Sequence, residues 1–426
     1  MTAISRGAAL IICLAVVISS CEARGGVNPL VSRARGAIRG VVDSKEKIFN
    51  VLQFGAKPDG RHESAMQFQR TWKAVCQWPG KAKMVIPQGR FLVGPLVFTG
   101  PCVNKEPIVV QIRGTLLSAS PDELEDAPMD VDTWIQFYEL NGLIVIGGGT
   151  LDGQGAAFWS HDLGGQGPGL PVNLMFQKVN NALVRKLSSV NPKGFHISVV
   201  QCNNIRLYNL RITAPADSPN TDGIHISRSN LVKIARSEIA TGDDCIGMIQ
   251  GSTAISIKNV KCGPGHGISI GSLGKYENEA DVRGVVVKNC TFSNTDNGLR
   301  IKTMRGPKAT ASRASSIIFQ DIIMRDVKNP IIIDQEYNAH GKNQANPSPV
   351  KISDVHFINV RGTSTSPVAV QVACSRIVPC QNLQFYNINL DYVGKPRKAL
   401  PPTCTSTCTF ATGLSYGGIQ KPPACH

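Results

Sequence analysis

Four short segments of the sequence hold acidic, imidazole and basic side chains in an order that suits acid–base chemistry. They are NTDG with Asp222, GDDC with Asp243 and Asp244, GHG with His266, and RIK with Arg300 and Lys302. Adjacent carboxylates repel, so in a dry site one of them has a raised pKa and can stay protonated. A protonated and an ionised carboxyl group together can hydrolyse a glycosidic bond, because one protonates the leaving oxygen and the other activates water. The two cations would bind an anionic sugar.

Each segment taken alone also has an ordinary structural interpretation. NTDG is a common turn sequence, an Asp pair is usually a solvated turn, and a histidine between glycines can end a strand. The RIK segment could be a charged edge strand that prevents aggregation. The functional interpretation therefore depends on whether the fold brings the four segments together.

Short β-strands that recur along the chain are the elements that would position these segments. Runs of alternating aliphatic residues, such as NIRLYNLRI, LVKIARSEI and AISIKNV, are separated by Asn, Asp and Gly. They recur at intervals of roughly 22 to 35 residues, which is the length of a solenoid coil. We therefore predict an all-β, right-handed parallel β-helix, with the hand that parallel crossovers adopt. A β-sandwich is the alternative, and it would need hairpin turns.

At about 22 residues a coil, the four segments become stacked neighbours on one wall. Asp222, the pair Asp243 and Asp244, and His266 follow at one-coil intervals, and RIK follows after a longer coil. Arg300 and Lys302 alternate around Ile301, so both are expected to point outward while Ile301 enters the tube. At the N-terminal end, ESAMQFQRTWKAVC has helical spacing of apolar residues and is predicted to form a capping helix.

The first 47 residues differ from the rest of the chain. Residues 1–23 have an early Arg, an apolar run and a small-residue exit, which predicts a secretory signal peptide. Residues 24–47 form a basic arm, and 48–426 are expected to be a single β-helix catalytic domain. The net charge of +15 favours an anionic partner. We expect anionic polysaccharide, with neither nucleic acid nor membrane as a partner, and a monomer in the extracellular space or cell wall.

Thirteen cysteines make disulfides the default in an exported protein. The candidate pairs are Cys76 with Cys102, Cys245 with Cys262, and Cys374 with Cys380, followed by pairing among Cys404, Cys408 and Cys425, with Cys404 and Cys425 favoured. Cys202 and Cys290 are expected to be buried thiols. The sequence has no CxxC motif, so no metal site is predicted, and no cofactor is expected. Asn289 begins an Asn-Cys-Thr sequon and is a candidate for glycosylation.

NTDG, GDDC, GHG and RIK, in this order and at this spacing, resemble the signature of the polygalacturonases, the pectin-cleaving enzymes of glycoside hydrolase family 28. FNVLQFGAKPDG, GGGTLDGQG and GISIGSLGKY also resemble plant members. The resemblance implies hydrolysis of α-1,4-linked galacturonate with inversion. It implies that Asp243 is the general acid, that Asp222 and Asp244 hold and deprotonate water, and that His266 supports the acid. Substrate contacts are implied for Arg300, Lys302, Tyr337 and Asn220.

The sequence departs from the family pattern at two places. The cysteine that usually follows the tyrosine is Asn338 here, and a second is replaced near Asn343; relatives read CISIG where this chain has CIGMIQG. The second difference is expected to shift a strand register slightly.

Four functions are considered for a β-helix with these residues. GSLGKYENEADV resembles plant pollen-type members, which favours cleavage from the chain end (exo), and an endo-acting hydrolase is the nearest alternative. A non-catalytic pectin-binding β-helix would need the cations but not the carboxylates. A lyase would need calcium ligands, and the sequence has no clear cluster of them.

Overall fold

The structure is a computed structural model that describes residues 46–119, 132–159, 170–306, 311–337, 346–394 and 403–425. The predicted signal peptide at 1–23 lies outside these residues, as do positions 338 and 343. So does the predicted basic arm at 24–47 except for its last two residues, and Lys47 already belongs to the first strand. No helix among the described residues is long and apolar enough to cross a membrane.

Almost all regular structure in the described residues is β-strand. The helical elements are α1 (Ala65–Cys76), α2 (Ala156–Trp159) and one 3-10 turn (Val51–Phe54). The first seventeen strands are β1 (Lys47–Asn50), β2 (Asp59–Glu63), β3 (Ala82–Ile86), β4 (Arg90–Val93), β5 (Leu96–Thr99), β6 (Ile108–Ile112), β7 (Thr115–Ser118), β8 (Thr133–Tyr138), β9 (Asn141–Ile146), β10 (Thr150–Asp152), β11 (Val172–Gln177), β12 (Asn180–Arg185), β13 (Ser188–Val190), β14 (Ile197–Val200), β15 (Asn203–Tyr208), β16 (Arg211–Thr213) and β17 (Ile224–Ser227). The remaining strands are β18 (Asn230–Ala235), β19 (Glu238–Ala240), β20 (Ile246–Met248), β21 (Thr253–Lys258), β22 (Lys261–Cys262), β23 (Ile268–Leu273), β24 (Val282–Lys288), β25 (Thr291–Ser293), β26 (Asn297–Met304), β27 (Arg313–Val327), β28 (Asn329–Tyr337), β29 (Lys351–Ser364), β30 (Val368–Ala373), β31 (Cys380–Tyr392), β32 (Thr405–Thr409), β33 (Ala411–Thr412) and β34 (Ser415–Lys421).

The strands form two parallel sheets that wind around one tube. The smaller sheet runs β5-β8-β11-β14-β17-β20-β23-β26-β28-β30-β32, and the other 23 strands form the larger sheet. A central coil consists of one strand of the smaller sheet, a long strand of the larger sheet and then a short one, as in β17, β18 and β19. Each strand pairs with its counterpart one coil away, so Ile224 is in register with Ile246, and Ile246 with Ile268. The parallel β-helix and its coil of about 22 residues agree with the prediction.

The interior of the tube holds one continuous apolar core. Aliphatic residues of successive coils stack in rows, and the isoleucines 224, 246 and 268 are fully buried. Toward the C-terminal end, Phe319, Phe357 and Phe385 stack with ring centroids 5.2 and 5.1 Å apart. Each short strand is stable because it is paired on both sides and contributes to this shared core.

The predicted helix forms over Ala65–Cys76 and packs on the first coils. Its buried face consists of Phe68, Thr71, Trp72 and Val75. The indole of Trp72 packs 5.0 Å from the ring of Phe98 and donates a 3.1 Å hydrogen bond to the carbonyl of Thr99. The helix therefore covers apolar residues of the N-terminal coils, and its role as a cap stays a prediction.

Asparagines occupy many corners of the tube because the corners require left-handed backbone. Asn204, Asn259 and Asn289 have φ between 54° and 58°, and asparagine tolerates this region better than most residues. Asn289, the glycosylation candidate, is exposed at the corner between β24 and β25, and its Nδ2 donates a 2.7 Å hydrogen bond to Asn259. Its glycosylation stays a prediction.

Four disulfides staple the described residues. The predicted pairs Cys76–Cys102, Cys245–Cys262 and Cys374–Cys380 are confirmed. Cys425 bonds to Cys408, so the prediction that Cys404 is its partner is wrong. Cys404 precedes β32 and is buried against the main core, whereas Cys408 lies within the strand, opposite Cys425. Cys202 and Cys290 are buried free thiols, as predicted.

Candidate active site

The candidate site is built from turns that stack in four consecutive coils. Each turn joins a short strand of the larger sheet to a strand of the smaller one: residues 214–223, 241–245, 263–267 and 294–296. Backbone bonds fix their stacking, since the amide of Gly223 donates to the carbonyl of Asp244 at 2.9 Å and the amide of His266 to that of Asp243 at 2.8 Å. Adjacent parallel strands lie about 4.8 Å apart, so the functional side chains of successive turns come into contact.

The second part of the site is the outer face of the smaller sheet. His225, Gly247, Ser269 and Arg300 are in register on successive strands, beside the turns. Ile301 is fully buried in the core, so Arg300 and Lys302 point out of the tube as the alternation predicted. The register continues unbroken through Gly247, so the shift expected from CIGMIQG does not occur.

Asp244 lies at the centre of a buried charge network. Its Oδ1 accepts hydrogen bonds from Arg300 Nη2 at 2.5 Å and Ser269 Oγ at 2.7 Å, and its Oδ2 from Lys302 Nζ at 3.1 Å. The Asp244 side chain is 4% exposed, and those of Arg300 and Lys302 are 11% and 9% exposed. Ser269 also accepts a bond from Arg300 Nε at 2.9 Å. The two cations thus neutralise Asp244 and are held rigidly by it.

Asp243 is paired with His266 at the more open side of the site. His266 Nδ1 and Asp243 Oδ1 are 2.8 Å apart. Burial would raise the pKa of Asp243, but the hydrogen bond and charge of His266 outweigh it and the net pKa shift is downward. The same hydrogen bond raises the pKa of His266. In the free protein the pair therefore carries its shared proton on His266, which differs from the simple expectation of a protonated Asp243.

The pKa of Asp222 is shifted in the opposite direction, upward. It is almost fully buried, and burial raises its pKa to about 6, with further upward contributions from the charges of Asp243 and Asp244. His225 Nδ1 lies 3.0 Å from Asp222 Oδ2 and partly offsets this rise. The imidazole of His225 is stacked on the ring of Phe195, with centroids 4.6 Å apart. The crowding predicted from the sequence therefore does separate the pKa values, and Asp222 has the raised one.

Gly247 leaves a space between two of the carboxylates. A Cβ at this position would lie 3.2 Å from Asp222 Oδ2, 3.4 Å from His225 Nδ1 and 3.8 Å from Asp244 Oδ2. The absence of a side chain here keeps open a position that both carboxylates face. A water molecule bound there could donate hydrogen bonds to both carboxylates.

The remaining predicted residues lie around this centre. Tyr337 is half-buried at the end of β28, and Lys302 Nζ lies 5.1 Å from the centroid of its ring. Asn220 is exposed in the turn that carries Asp222, with φ of 51°. The structure thus brings Tyr337 to the charge network through Lys302, and its contact with substrate, like that of Asn220, stays a prediction.

Asp243, Asp244 and His266 each offer a ligand atom within 4.8 Å of the others. A metal ion there would compete with bonds already made, since both oxygens of Asp244 accept from Arg300 and Lys302. It would also be repelled by those two cations. The donor set is therefore better suited to holding protons than to holding a metal ion.

Some residues at the site were missed by the sequence analysis. His225 follows Asp222 by three residues and alternation places it outward, so the strand pattern could have identified it. Asp296, in the fourth turn, lies 3.7 Å from Nε2 of His266 on the side away from Asp243. No spacing rule indicates Gly247 or Asp296, because their importance depends on contacts between coils.

Lys193 was also missed, and its surroundings are unusual. It lies in the turn that precedes the four site turns, one coil before Asp222, and is buried. Its Nζ donates to Ser118 Oγ at 2.6 Å and to the carbonyl of Ala119 at 3.2 Å, and lies 4.3 Å from the ring centroid of Phe158. Burial lowers its pKa to about 8. This places a cation at the N-terminal end of the row of site turns.

Comparisons with known proteins agree with this geometry. The chain is 42% identical over 423 residues to "Exopolygalacturonase clone GBGE184" of Arabidopsis thaliana, covering 97% of this chain and 95% of that protein. It is 43% identical to "Exopolygalacturonase" of Platanus acerifolia over 89% of this chain and 98% of that protein. It is 41% identical to "Polygalacturonase" of Gossypium barbadense, with 88% and 89% covered.

Solved structures show the same fold. The exopolygalacturonase of Thermotoga maritima matches with a TM-score of 0.71 at 18% identity, over 88% of this chain and 92% of that one. The endo-xylogalacturonan hydrolase of Aspergillus tubingensis matches with a TM-score of 0.73 at 22% identity, over 85% and 100%. These matches confirm the predicted right-handed β-helix. The family model of the glycosyl hydrolases family 28 matches residues 76–410, and this chain therefore belongs to the glycosyl hydrolases family 28.

Proposed function

We propose that this protein is a secreted polygalacturonase that hydrolyses α-1,4-galacturonosyl linkages of de-esterified pectin with inversion, acting from the chain end. The observation that carries the proposal is the convergence of Asp222, Asp243 and Asp244 with His266 and two cations on one wall. Plant relatives named exopolygalacturonase, 42% and 43% identical, favour exo action.

The proton for the leaving oxygen comes from the His266–Asp243 pair. His266 Nδ1 and Asp243 Oδ1 are 2.8 Å apart and share one proton. As the glycosidic bond breaks, negative charge develops on the leaving oxygen, and Asp243 transfers the proton to it. His266 resupplies Asp243, so the pair acts as a general acid although the pKa of Asp243 alone is lowered. Asp296, near Nε2 of His266, helps to orient the imidazole.

Asp222 and Asp244 hold the attacking water over Gly247. Asp222 is the base, because a pKa of about 6 makes its carboxylate a stronger proton acceptor than an ordinary aspartate. Asp244 accepts hydrogen bonds from Arg300 and Lys302 and orients the water through its own oxygens. The proton removed from water ends on Asp222, and the water oxygen bonds to the anomeric carbon.

The cations Arg300 and Lys302 attract the carboxylate of the sugar next to the scissile bond. They are already held by Asp244, so binding the substrate requires little ordering of long side chains. Tyr337 packs against Lys302 and provides a half-buried ring against which the sugar can lie.

Product sizing from a long oligogalacturonate tests this proposal. The exo enzyme should release monomer from the first time point and leave the polymer only gradually shortened, whereas mixed oligomers at the outset would identify an endo enzyme. Bound polymer without new reducing ends would identify a pectin-binding protein. Products that absorb in the ultraviolet would identify a lyase. The anomeric form of the first product, followed by NMR, tests inversion.

Leaving-group dependence tests the assignment of roles. Asp243→Asn should nearly abolish hydrolysis of polygalacturonate but retain activity on a galacturonide with a leaving group that needs no protonation. Asp222→Asn should lose activity on both substrates, because water activation is needed for each. If Asp222→Asn is the variant rescued by the good leaving group, the two roles are exchanged.

We also propose secretion through residues 1–23 and a monomeric enzyme, which N-terminal sequencing of the mature protein and light scattering would test.

A further inference from the structure

A strongly basic surface lies on the outside of the larger sheet. It is formed by five consecutive coils, in residues 180–190, 203–213, 230–240, 253–262 and 282–293. These segments contain ten basic residues: Arg185, Lys186, Arg206, Arg211, Lys233, Arg236, Lys258, Lys261, Arg283 and Lys288. Glu238 is their one acidic residue, whereas the whole chain has 45 basic and 30 acidic residues. We call this surface the basic wall.

The basic wall is exposed and largely unneutralised. All of its cations are exposed except Lys288, which is half-buried. Lys261 pairs with Glu238 at 2.7 Å and Lys288 with Asp321 at 3.6 Å. Within the part of the chain that the structure describes, Arg206, Lys233 and Lys258 have no carboxylate within ion-pair distance.

Like charges on the wall are also direct neighbours. Arg206 is in register with Lys233 on the next strand, and Lys258 with Lys288. Strands in a sheet are about 4.8 Å apart, and like charges on paired positions are destabilising. Arg206 with Lys233 and Lys258 with Lys288 are therefore two pairs of adjacent cations whose mutual repulsion a bound polyanion would relieve.

The long strands of the basic wall are separate from the site turns, whereas the short strands that carry Arg211 and Lys261 lead directly into them. In each coil the long strand of the larger sheet, which carries Arg206, Lys233 or Lys258, is followed by a short strand and only then by the site turn. On its other side it is preceded by the strand of the smaller sheet. The long strand is thus one whole strand away from the site turn in both directions around the tube.

We infer that the basic wall is a second binding surface for an anionic polysaccharide, on which a polyuronate chain lies along the tube axis without being cleaved. The inference rests on the proposed function for the chemical class of the polymer. A linear polymer with a carboxylate on each sugar matches a surface on which every coil contributes basic residues. The wall would hold the enzyme on the polymer between cleavage events.

The wall suits a polysaccharide better than a single-stranded nucleic acid. Proteins that bind single strands use aromatic rings on which bases stack. Tyr208 is the aromatic residue facing outward on these strands, and Arg236 already covers its ring at 5.3 Å. A polyuronate needs only charge and hydrogen-bond donors, which the Lys and Arg side chains supply.

The test compares two triple neutralisations in the full-length mature protein. The wall variant is Arg206→Gln with Lys233→Gln and Lys258→Gln. The control variant makes the same change in net charge at Arg70, Lys73 and Arg113, which are exposed near the N-terminal end of the tube. Binding to immobilised polygalacturonate is measured for each variant with Asp243→Asn added, and activity is measured with Asp243 intact.

We expect the wall variant to bind the polymer at least about tenfold more weakly at about 0.1 M salt and the control variant to change little, because at this salt concentration the lost attraction is screened beyond about 10 Å. Hydrolysis of trigalacturonate should be equal in both, and KM for long polymer should rise in the wall variant alone. Equal weakening in both variants would overturn the inference.

Two further results keep the inference distinct from the proposed function. If wild type hydrolyses no galacturonate but the wall variant still binds polymer more weakly, the proposed function fails and the wall stands. If the wall retains double-stranded DNA or phosphatidylserine vesicles as strongly as polygalacturonate, its assignment to a polysaccharide is wrong.

Discussion

Substitution of Asp244 by Asn should destabilise the folded protein as well as inactivate it. Asp244 is buried and accepts hydrogen bonds from Arg300, Lys302 and Ser269. Asparagine has nearly the same shape but no charge, and its Nδ2 is a donor that faces other donors. The variant therefore leaves two cations, 11% and 9% exposed, without their counter-ion.

The structure indicates the size of this effect. Removing one partner of a buried ion pair typically costs about 3–5 kcal/mol, because the remaining charge is not solvated. Two cations share Asp244, so a loss of about 4 kcal/mol is expected, a large part of the stability of a folded domain. The neighbouring Asp243→Asn makes the same chemical change at a more open position, where the pair with His266 is 23% and 37% exposed. Its effect should be about 1 kcal/mol or less.

Equilibrium urea unfolding with the disulfides intact measures both values, with Asp243→Asn as the matched control. A second variant, Lys302→Met, closes a double-mutant cycle with Asp244→Asn. The double variant should be more stable than Asp244→Asn alone, because it has one buried uncompensated cation fewer. Polygalacturonate fragments should stabilise Asp244→Asn more than they stabilise Asp243→Asn, since a substrate carboxylate can replace the missing charge.

Equal unfolding free energies for Asp244→Asn and Asp243→Asn would refute the assignment of Asp244 as the counter-ion of the buried cations. So would a double variant less stable than Asp244→Asn, because the cycle would then show no repulsion to relieve.

Three further results are expected. The pH profile of kcat/KM should be bell-shaped, rising near pH 6 as Asp222 ionises and falling above pH 6.5 as His266 loses its proton; His266→Gln should remove the falling limb. Gly247→Ala should lower kcat by roughly tenfold or more without unfolding the protein, because its methyl group would lie 3.2 Å from an oxygen of Asp222. Cys408→Ser should lower stability by about 3 kcal/mol, whereas Cys404→Ala should leave every disulfide intact.

The shifted pKa values of His266 and Asp243 also make the stability of the fold depend on pH. The folded pKa of His266 is above its ordinary value of 6.5 and that of Asp243 is below its ordinary value of 3.8, so the pair stabilises the fold fully between these two pH values. The stabilisation is lost as pH rises through the folded pKa of His266 or falls through that of Asp243. A falling limb that persists in His266→Gln would contradict the assignment. Gly94→Ala, where a Cβ meets its nearest atom at 3.5 Å, is the control for Gly247, and peptide mapping of the disulfides checks the cysteines.

Much of the fold could be predicted because a β-helix repeats one simple pattern. The runs around Ile224, Ile246 and Ile268 share the same alternation, and the coil length follows from their spacing. The capping helix was equally clear from Phe68 and Trp72. The disulfide partner of Cys425 could not be predicted in this way. Cys404 and Cys408 are only four positions apart in the sequence, and this spacing does not show which of the two side chains faces Cys425.

The residues of the site could be predicted, but not their protonation. Asp222, Asp243, Asp244 and His266 follow from the coil spacing. Which carboxylate has the raised pKa depends on which one is more deeply buried and which one contacts an imidazole. Burial and contact with an imidazole both depend on how neighbouring coils pack against each other. In this structure they raise the pKa of Asp222 and lower that of Asp243.

The parallel stacking of coils explains why one site can hold opposite electrostatic environments within a few ångströms. Each coil contributes one turn, and adjacent turns lie about 4.8 Å apart, so a buried carboxylate, an ion-paired one and a carboxylate–imidazole pair become neighbours without any long loop. The same stacking brings cations of successive coils together on the basic wall, as in Arg206 with Lys233 and Lys258 with Lys288. A residue inserted into the turn at 241–245, ahead of Asp243, would shift this turn against its neighbours. It would therefore separate Asp222 from Asp244 while leaving the strands that line the core of the tube in register.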